Sequence, residues 1–253
     1  MRTRGLDELN LPAIIIGLIL WFAFLAEPVF SQQVYDPWES YNRKVFSFNE
    51  AVDKKVMEPV AQAYADLLPN KVEKGIANFF ENLGFPVQFA NSLLQLKPGQ
   101  ALTFLVRFAI NTTLGIGGFI DTASAIGLKS PDKEDFGLTL ASYSVPPGPY
   151  FVLPFLGPST VRDTIGIGVD FFLSPPYLLW KSSLSAGLKD KLIYSSSALD
   201  FVEKRASLLD AVRAGREASL DYYLFTRSAY FQYRKGLLYD GFPPDEFDDD
   251  DFE

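Results

Sequence analysis

The chain has 253 residues, 48% of them hydrophobic and 15% aromatic, with neither His nor Cys; that is material for one large domain, and it excludes imidazole general bases, thiol nucleophiles, disulfides and Cys/His zinc sites. Eight of its 31 acidic residues crowd into positions 240–253, where there is no Lys or Arg, and the 23 that remain equal the 23 basic residues. The net charge of −8 therefore belongs to an acidic tail on a neutral body, which offers a nucleic-acid partner no basic surface.

Residues 11–26 carry no charge, and Arg2 and Arg4 precede them. At ~1.5 Å per residue this stretch spans about 24 Å against a hydrocarbon core of about 30 Å, which favours an export signal over a permanent span, with a retained anchor as the alternative. Residues 1–31 are assigned to that leader, 32–240 to one domain and 241–253 to a solvated acidic tail that folding does not need.

Past the leader, Tyr41, Val45, Phe48, Val52 and Val56 recur at helical spacing among charged residues and predict an amphipathic helix ending near Pro59. A second helix is expected over 61–68, stopping at Pro69. Asn70, with Glu73 three residues on, reads as a capping pair before an apolar face of Val72, Ile76, Phe79, Phe80 and Leu83. A short helix over 86–96 closes at Lys97-Pro98-Gly99. Residues 101–110 are apolar apart from Thr103 and Arg107, which predicts a helix buried on most sides.

Leu114-Gly115-Ile116-Gly117-Gly118-Phe119-Ile120-Asp121 follows. Its glycines suit either a hinge or a tight turn where backbones pack closely, and the turn itself leaves both open. Residues 129–135 form a charged loop in which Asp132, Glu134 and Asp135 lack the ligand spacing of a calcium loop.

The segment from Pro146 to Asp163 is apolar yet broken by Pro146, Pro147, Pro149, Pro154 and Pro158, so it is expected to be extended or looping. Apolar backbone that cannot form a helix needs a shelter built by protein, and the segment is expected to line or plug something. Thr160 and Asp163 are expected to cap a helix through Phe172 that Ser174-Pro175-Pro176 ends, and a last helical region over 199–238 has Gly215 as its expected interruption. No series of period-two strands stands out, so the fold class is all-α. With no uncharged apolar run of 18 residues after the leader, a multi-span helical membrane protein is not expected. The 23 Phe, 12 Tyr and 3 Trp fit a Phe-packed core and also amphipathic helices lying in a membrane interface.

Six strings occur in one order over some two hundred residues: Asp36-Pro37-Trp38-Glu39-Ser40-Tyr41-Asn42-Arg43, Asn78-Phe79-Phe80-Glu81-Asn82-Leu83, Arg107-Phe108-Ala109-Ile110-Asn111-Thr112-Thr113 running into the glycine turn, Asp135-Phe136-Gly137-Leu138-Thr139-Leu140, Gly148-Pro149-Tyr150 through Leu153-Pro154 to Arg162-Asp163, and Asp221-Tyr222-Tyr223 with Arg227-Ser228-Ala229-Tyr230. Together they resemble the MlaA, or VacJ, family of the Gram-negative outer membrane. The resemblance implies a ring-like bundle of amphipathic helices, monotopic in the inner leaflet of the outer membrane. Mislocalised outer-leaflet phospholipid would leave through its central amphipathic channel.

The resemblance further implies a trimeric porin and a periplasmic lipid carrier of the MlaC type as partners, no cofactor and no covalent chemistry. In its light Leu114, Gly115, Gly117, Gly118, Phe119, Asp121 and Phe136 become candidates for a hairpin gate, which favours the hinge reading of the glycines. Pro149, Tyr150, Leu153, Pro154, Arg162 and Asp163 become channel-lining or structural residues, Arg162 and Asp163 serving equally well as a structural pair at a helix start. The alternative is a structural envelope or adhesion factor that binds membrane without conducting lipid. The chain departs from the family in lacking any Cys, so the usual acylated-Cys anchor has no acceptor, and attachment falls to amphipathic helices, a porin or an uncleaved leader.

Overall fold

The computed structural model describes residues 35–243, so the expected leader and residues 244–253 of the acidic tail lie outside the described residues. The first helix, α1 (Glu39–Val52), does not end near Pro59 as expected; it passes through a π-helical turn at Asp53–Met57 directly into α2 (Glu58–Leu67). The Glu58 N–H reaches back five residues to the Asp53 carbonyl. That shift in the hydrogen-bond ladder puts Pro59 in the first turn of a new helix, where its missing N–H costs nothing.

Next come α3 (Asn70–Leu83), α4 (Phe85–Leu94) and α5 (Pro98–Thr113). Asn70 is not a cap: it lies inside α3, and the Pro69 carbonyl accepts from the N–H groups of Val72 and Glu73 at 2.8 and 3.1 Å. α5 is not buried on most sides either. It turns Leu102, Leu105 and Val106 outward and buries Ala101, Phe104, Arg107 and Asn111 on the opposite face, so the polar side chains point in and the aliphatic ones point out.

A short α6 (Thr122–Ala125) and α7 (Phe136–Ser142) lead to an antiparallel hairpin of β1 (Tyr150–Leu153) and β2 (Gly157–Thr160), Tyr150 facing Thr160 and Leu153 facing Gly157. These four-residue strands are the sheltered form of the Pro-broken segment, and they are too short to show an alternating pattern. The Thr160 hydroxyl caps α8 (Val161–Asp170) by accepting from the Asp163 N–H, and a 3₁₀ turn at Phe171–Leu173 precedes α9 (Pro175–Lys181). The last helical region begins earlier than expected and is three helices: α10 (Ala186–Ser207), α11 (Leu209–Ala218) and α12 (Tyr222–Leu238). Its breaks fall at Leu208 and at residues 219–221. Gly215 sits inside α11, where a Cβ would lie 2.7 Å from the Phe225 ring.

Neighbour contacts run from α2 to α10, to α3, to α4 and α5, to α7 and α8, and through the β-hairpin and α12 back to α1, so the helical bundle is ring-like. Two asparagines close it. Asn42, fully buried, donates to the Tyr150 carbonyl at 3.1 Å and accepts from the Val152 N–H at 2.9 Å; Asn49, two turns along the same face of α1, donates to the Leu153 carbonyl and accepts from the Phe155 N–H, both at 2.9 Å. The outward edge of β1 thus meets side-chain amides where another strand would otherwise pair. Behind it Tyr150, Val152 and Tyr223 form one of three small apolar clusters. Asp36 fastens α12 there, accepting from the Tyr223 hydroxyl, from Arg227 at 2.8 Å and from Asn42 at 2.7 Å.

α7 and α8 cross at glycines. A Cβ on Gly166 would lie 2.4 Å from the Gly137 nitrogen, backbone against backbone. Gly166→Ala is expected to destabilise the protein by about 1–3 kcal/mol, whereas Gly168→Ala, on the same helix with nothing within 4 Å, leaves stability unchanged or raises it by up to about 1 kcal/mol; paired denaturation curves test this.

At the end of α8 the Asp170 carboxylate accepts from Asn91 at 2.8 Å and from the Phe136 N–H at 2.9 Å. Burial outweighs those bonds and pushes its carboxyl up to about 6. The native state therefore holds this proton more tightly than the unfolded chain, and the stability tied to Asp170 is full below about pH 4 and falls as pH rises to about 6. A carboxyl-carbon NMR titration with its midpoint near 6 is the expected result.

Candidate functional site

Helices α3, α4, α5 and α10 and the loop after α5 enclose a cavity of about 380 Å³. Its lining is two-faced: Phe80, Phe85, Phe104 and Phe108 offer rings, while Asn82, Gln88, Arg107, Asn111 and Asp121 offer polar groups. The spacing on α5 explains the choice, since 104, 107, 108 and 111 share one helical face. Phe85 stacks on Phe108 with centroids 4.4 Å apart, which fixes the apolar wall. Lys133, Glu203 and Lys204 bring charge from the 129–135 loop and α10. No sequence motif marked those three; only the fold brings α10 to face α3.

The hairpin 114–121 is docked on this cavity. Gly118 has φ +101°, donates its N–H to the Asn111 carbonyl at 2.9 Å, and a Cβ there would lie 2.7 Å from that of Asn82. Gly115 is equally confined, a Cβ falling 2.1 Å from the Ile120 carbonyl, and Gly117 has φ +68°. The Phe119 ring packs on Phe79 at 5.1 Å and its carbonyl accepts from Asn78 at 3.2 Å. Ile116 has φ 53°, a left-handed conformation that costs a β-branched residue about 1–3 kcal/mol. Leu114 and Ile116, 69% and 71% exposed, form an apolar tip.

Asp121 latches the hairpin to α5. Arg107 donates through one nitrogen to both carboxylate oxygens at 3.0 Å, Asn111 donates at 3.0 Å and the Ser124 N–H at 3.1 Å; Arg107 also binds the Ser124 hydroxyl at 3.0 Å and the Leu128 carbonyl. Burial pushes the Asp121 carboxyl up, but the bonds from Ser124, Asn111 and Arg107 outweigh it and hold it at about 2.

Of the residues singled out in the sequence, Asp121 borders the cavity and 114–119 lead up to it, but Phe136 does not join them. It is buried with Leu140 and Val145 in the cluster between α7 and α8. The Pro-broken segment stands elsewhere. Pro149 and Arg162 line a second, apolar pocket of about 240 Å³ with Pro146 and Ile165, Tyr150 is fully buried behind β1, the Leu153 carbonyl binds Asn49, and Pro154 lies at the exposed hairpin tip. Arg162 binds the Val145 carbonyl at 3.0 Å and Asp163 at 3.1 Å, and Asp163 also accepts from Tyr230 and from Arg234, the latter at 3.0 Å. Burial pushes the Asp163 carboxyl up; Arg234 and Arg162 reverse this and hold it below the usual carboxylate range. Among the described residues no acidic cluster could hold a metal ion.

The profile of the MlaA lipoprotein family matches residues 34–236. The intermembrane phospholipid transport system lipoprotein MlaA of Escherichia coli is 37% identical over 229 residues, 89% of this chain and 87% of its own length. The Haemophilus influenzae protein of the same name is 36% identical over 208 residues, 81% of this chain and 80% of its own. A solved structure described as the structural basis for maintenance of bacterial outer membrane lipid asymmetry superposes with a TM-score of 0.67 at 35% identity, covering 80% of this chain and 98% of that one.

Because Asp121 is held low, the stability it confers is complete above about pH 4 and is lost as pH falls toward 2. Asp121→Asn removes the charge that Arg107 answers, and amides 115–120 are expected to exchange hydrogen at least about tenfold faster at neutral pH, with the α7 and α8 amides unchanged. Equal protection in the variant would show that packing on α3 holds the hairpin without the latch.

Proposed function

Since this chain belongs to the MlaA family and so has a role in phospholipid transport, we propose that it removes mislocalised phospholipid from the outer leaflet of the outer membrane through the cavity and passes it to a periplasmic lipid carrier of the MlaC type, beside a trimeric porin. The supporting observation is the inverted lining: helices that bury Arg107, Asn111 and Asn82 at the cavity while exposing Leu102, Leu105 and Val106. Buried polar faces suit a headgroup path, and outward aliphatic faces suit an acyl environment. Among the described residues no helix is long and apolar enough to cross a membrane, so the exposed rings and aliphatics of Phe171, Phe172, Leu178 and Trp180 are read as lying in one leaflet. They also stand in for the acylated Cys that the sequence lacks.

The energetic need is large. Carrying two acyl chains of about thirty methylenes through water costs of order 20 kcal/mol at ~0.8 kcal/mol each, and a walled path with phenylalanine rings on one side removes most of it. The chain acts without covalent chemistry in this reading. The hairpin 114–121 is its gate: it carries Asp121 at the cavity and an apolar tip outside, and the strain at Ile116 favours a second position once the latch opens.

A chain without native Cys allows a clean test. Asn82→Cys with Gly118→Cys puts two Cβ atoms within bridging reach once the left-handed backbone at Gly118 relaxes to admit a side chain, and the single Gly118→Cys variant controls for that strain. In a strain lacking the native gene, the reduced pair is expected to restore low outer-leaflet phospholipid and the oxidised pair to leave it high. Equal restoration by both forms would remove the gate; no accumulation in the deletion strain would remove lipid transport and favour a structural envelope role.

A further inference from the structure

Glu203 lines the cavity from α10 and is 7% exposed, yet among the described residues no side chain or N–H hydrogen-bonds to it and no cation pairs with it. An uncompensated buried carboxylate is costly and rarely kept without a partner. Burial and then Asp200 push its carboxyl up, against the pull of Lys204 and Lys133. The cations nearby are committed or outside: Arg107 is held by Asp121, Lys204 is bound to Asp200 at 2.7 Å, and Lys133 is exposed at the rim. The cavity lining therefore carries a negative group on a buried residue and a positive one on an exposed residue, which mirrors the charge order of a zwitterionic headgroup.

We propose that Glu203 receives the primary ammonium of an ethanolamine phospholipid while Lys133 takes its phosphate, so that the cavity prefers this headgroup to choline or glycerol. The proposal rests on the lipid-transport reading and adds the substrate class. A primary ammonium offers three N–H donors to a carboxylate; a quaternary ammonium offers none, and a glycerol headgroup brings no positive charge to offset the buried one.

The test uses the full chain in detergent, exchanged against equal amounts of phosphatidylethanolamine, phosphatidylcholine and phosphatidylglycerol of identical acyl chains, with bound lipid counted by mass spectrometry. The wild type is expected to enrich ethanolamine lipid about fivefold over each competitor. Glu203→Gln is expected to bring that ratio to about one, with total lipid within twofold and a thermal midpoint unchanged or raised, because a neutral amide is cheaper to bury. Lys133→Gln, at an exposed position, is expected to lower capture of all three lipids about threefold. An unchanged ratio in Glu203→Gln overturns the ammonium site and assigns the carboxylate to internal coupling with Tyr64, whose buried hydroxyl has no hydrogen-bond partner and senses its charge. Lipid bound without enrichment overturns this proposal alone; no lipid bound by the wild type overturns the transport reading with it.

Discussion

Polar groups turned away from water must find partners within the protein, and this molecule depends on that requirement because several of its helices are built inside out. Asn42, Asn82, Asn91, Ser92, Arg107 and Asn111 are buried while apolar neighbours on the same helices are exposed. Each inward amide or guanidinium is answered by a group from a distant element, so the polar pairs position the helices as apolar contacts do in an ordinary core. Arg107 and Asn111 converge on Asp121, Asn91 reaches Asp170, and Arg234 on α12 spans Asp135 and Asp163 on α7 and α8. The apolar clusters are small and separate, too small to set the arrangement alone.

Much of the helical order was readable from apolar spacing and from proline, since those signals are local: Thr160 starts α8, and Pro175 opens α9 after the break at Ser174. Where the sequence misled, a nonlocal partner or an unusual backbone had overridden the local signal. Pro59 promised a stop that the π turn absorbed, and the same stretch lets Glu50, Asp53 and Glu58 converge on Arg216 at 3.1, 2.6 and 2.7 Å. The apolar run 101–110 promised a buried helix, but hydropathy does not say which face turns inward, and Arg107 and Asn111 take the inner face through their bonds to Asp121. In the site, the hairpin and Asp121 stood out by composition, whereas Glu203 and Lys133 carry no pattern and acquire meaning only when α10 lies against the cavity.

The carboxylates of this interior divide by how burial is met. At Asp121 and Asp163 charged or multiple donors outweigh it, and the ionised form is fastened. At Asp170 and Glu203 they do not, and burial pushes both carboxyls up. The first two close the hairpin and the α12 junction. Asp170 joins α4 to α7 as an acceptor for Asn91 and the Phe136 N–H, and Glu203 alone among these four opens onto the cavity without a donor. Fastened charge thus marks where the bundle is held, and unanswered charge marks where something else can enter.

The amide pairing between α1 and β1 also bears on how the molecule comes into being. Val152 and Asn42 are 110 residues apart, and Tyr223 lies 187 residues from Asp36, whereas α4 with α5, and β1 with β2, are near neighbours along the chain. Closing such long loops is slow compared with forming adjacent helical pairs. The wall of the cavity can therefore form early from sequential pieces, while the circle completes only when the final helix arrives. Until the hairpin docks on Asn42 and Asn49 of α1 the outward edge of β1 is open, so the nascent protein is most exposed to aggregation in the interval between making the hairpin and closing that pairing.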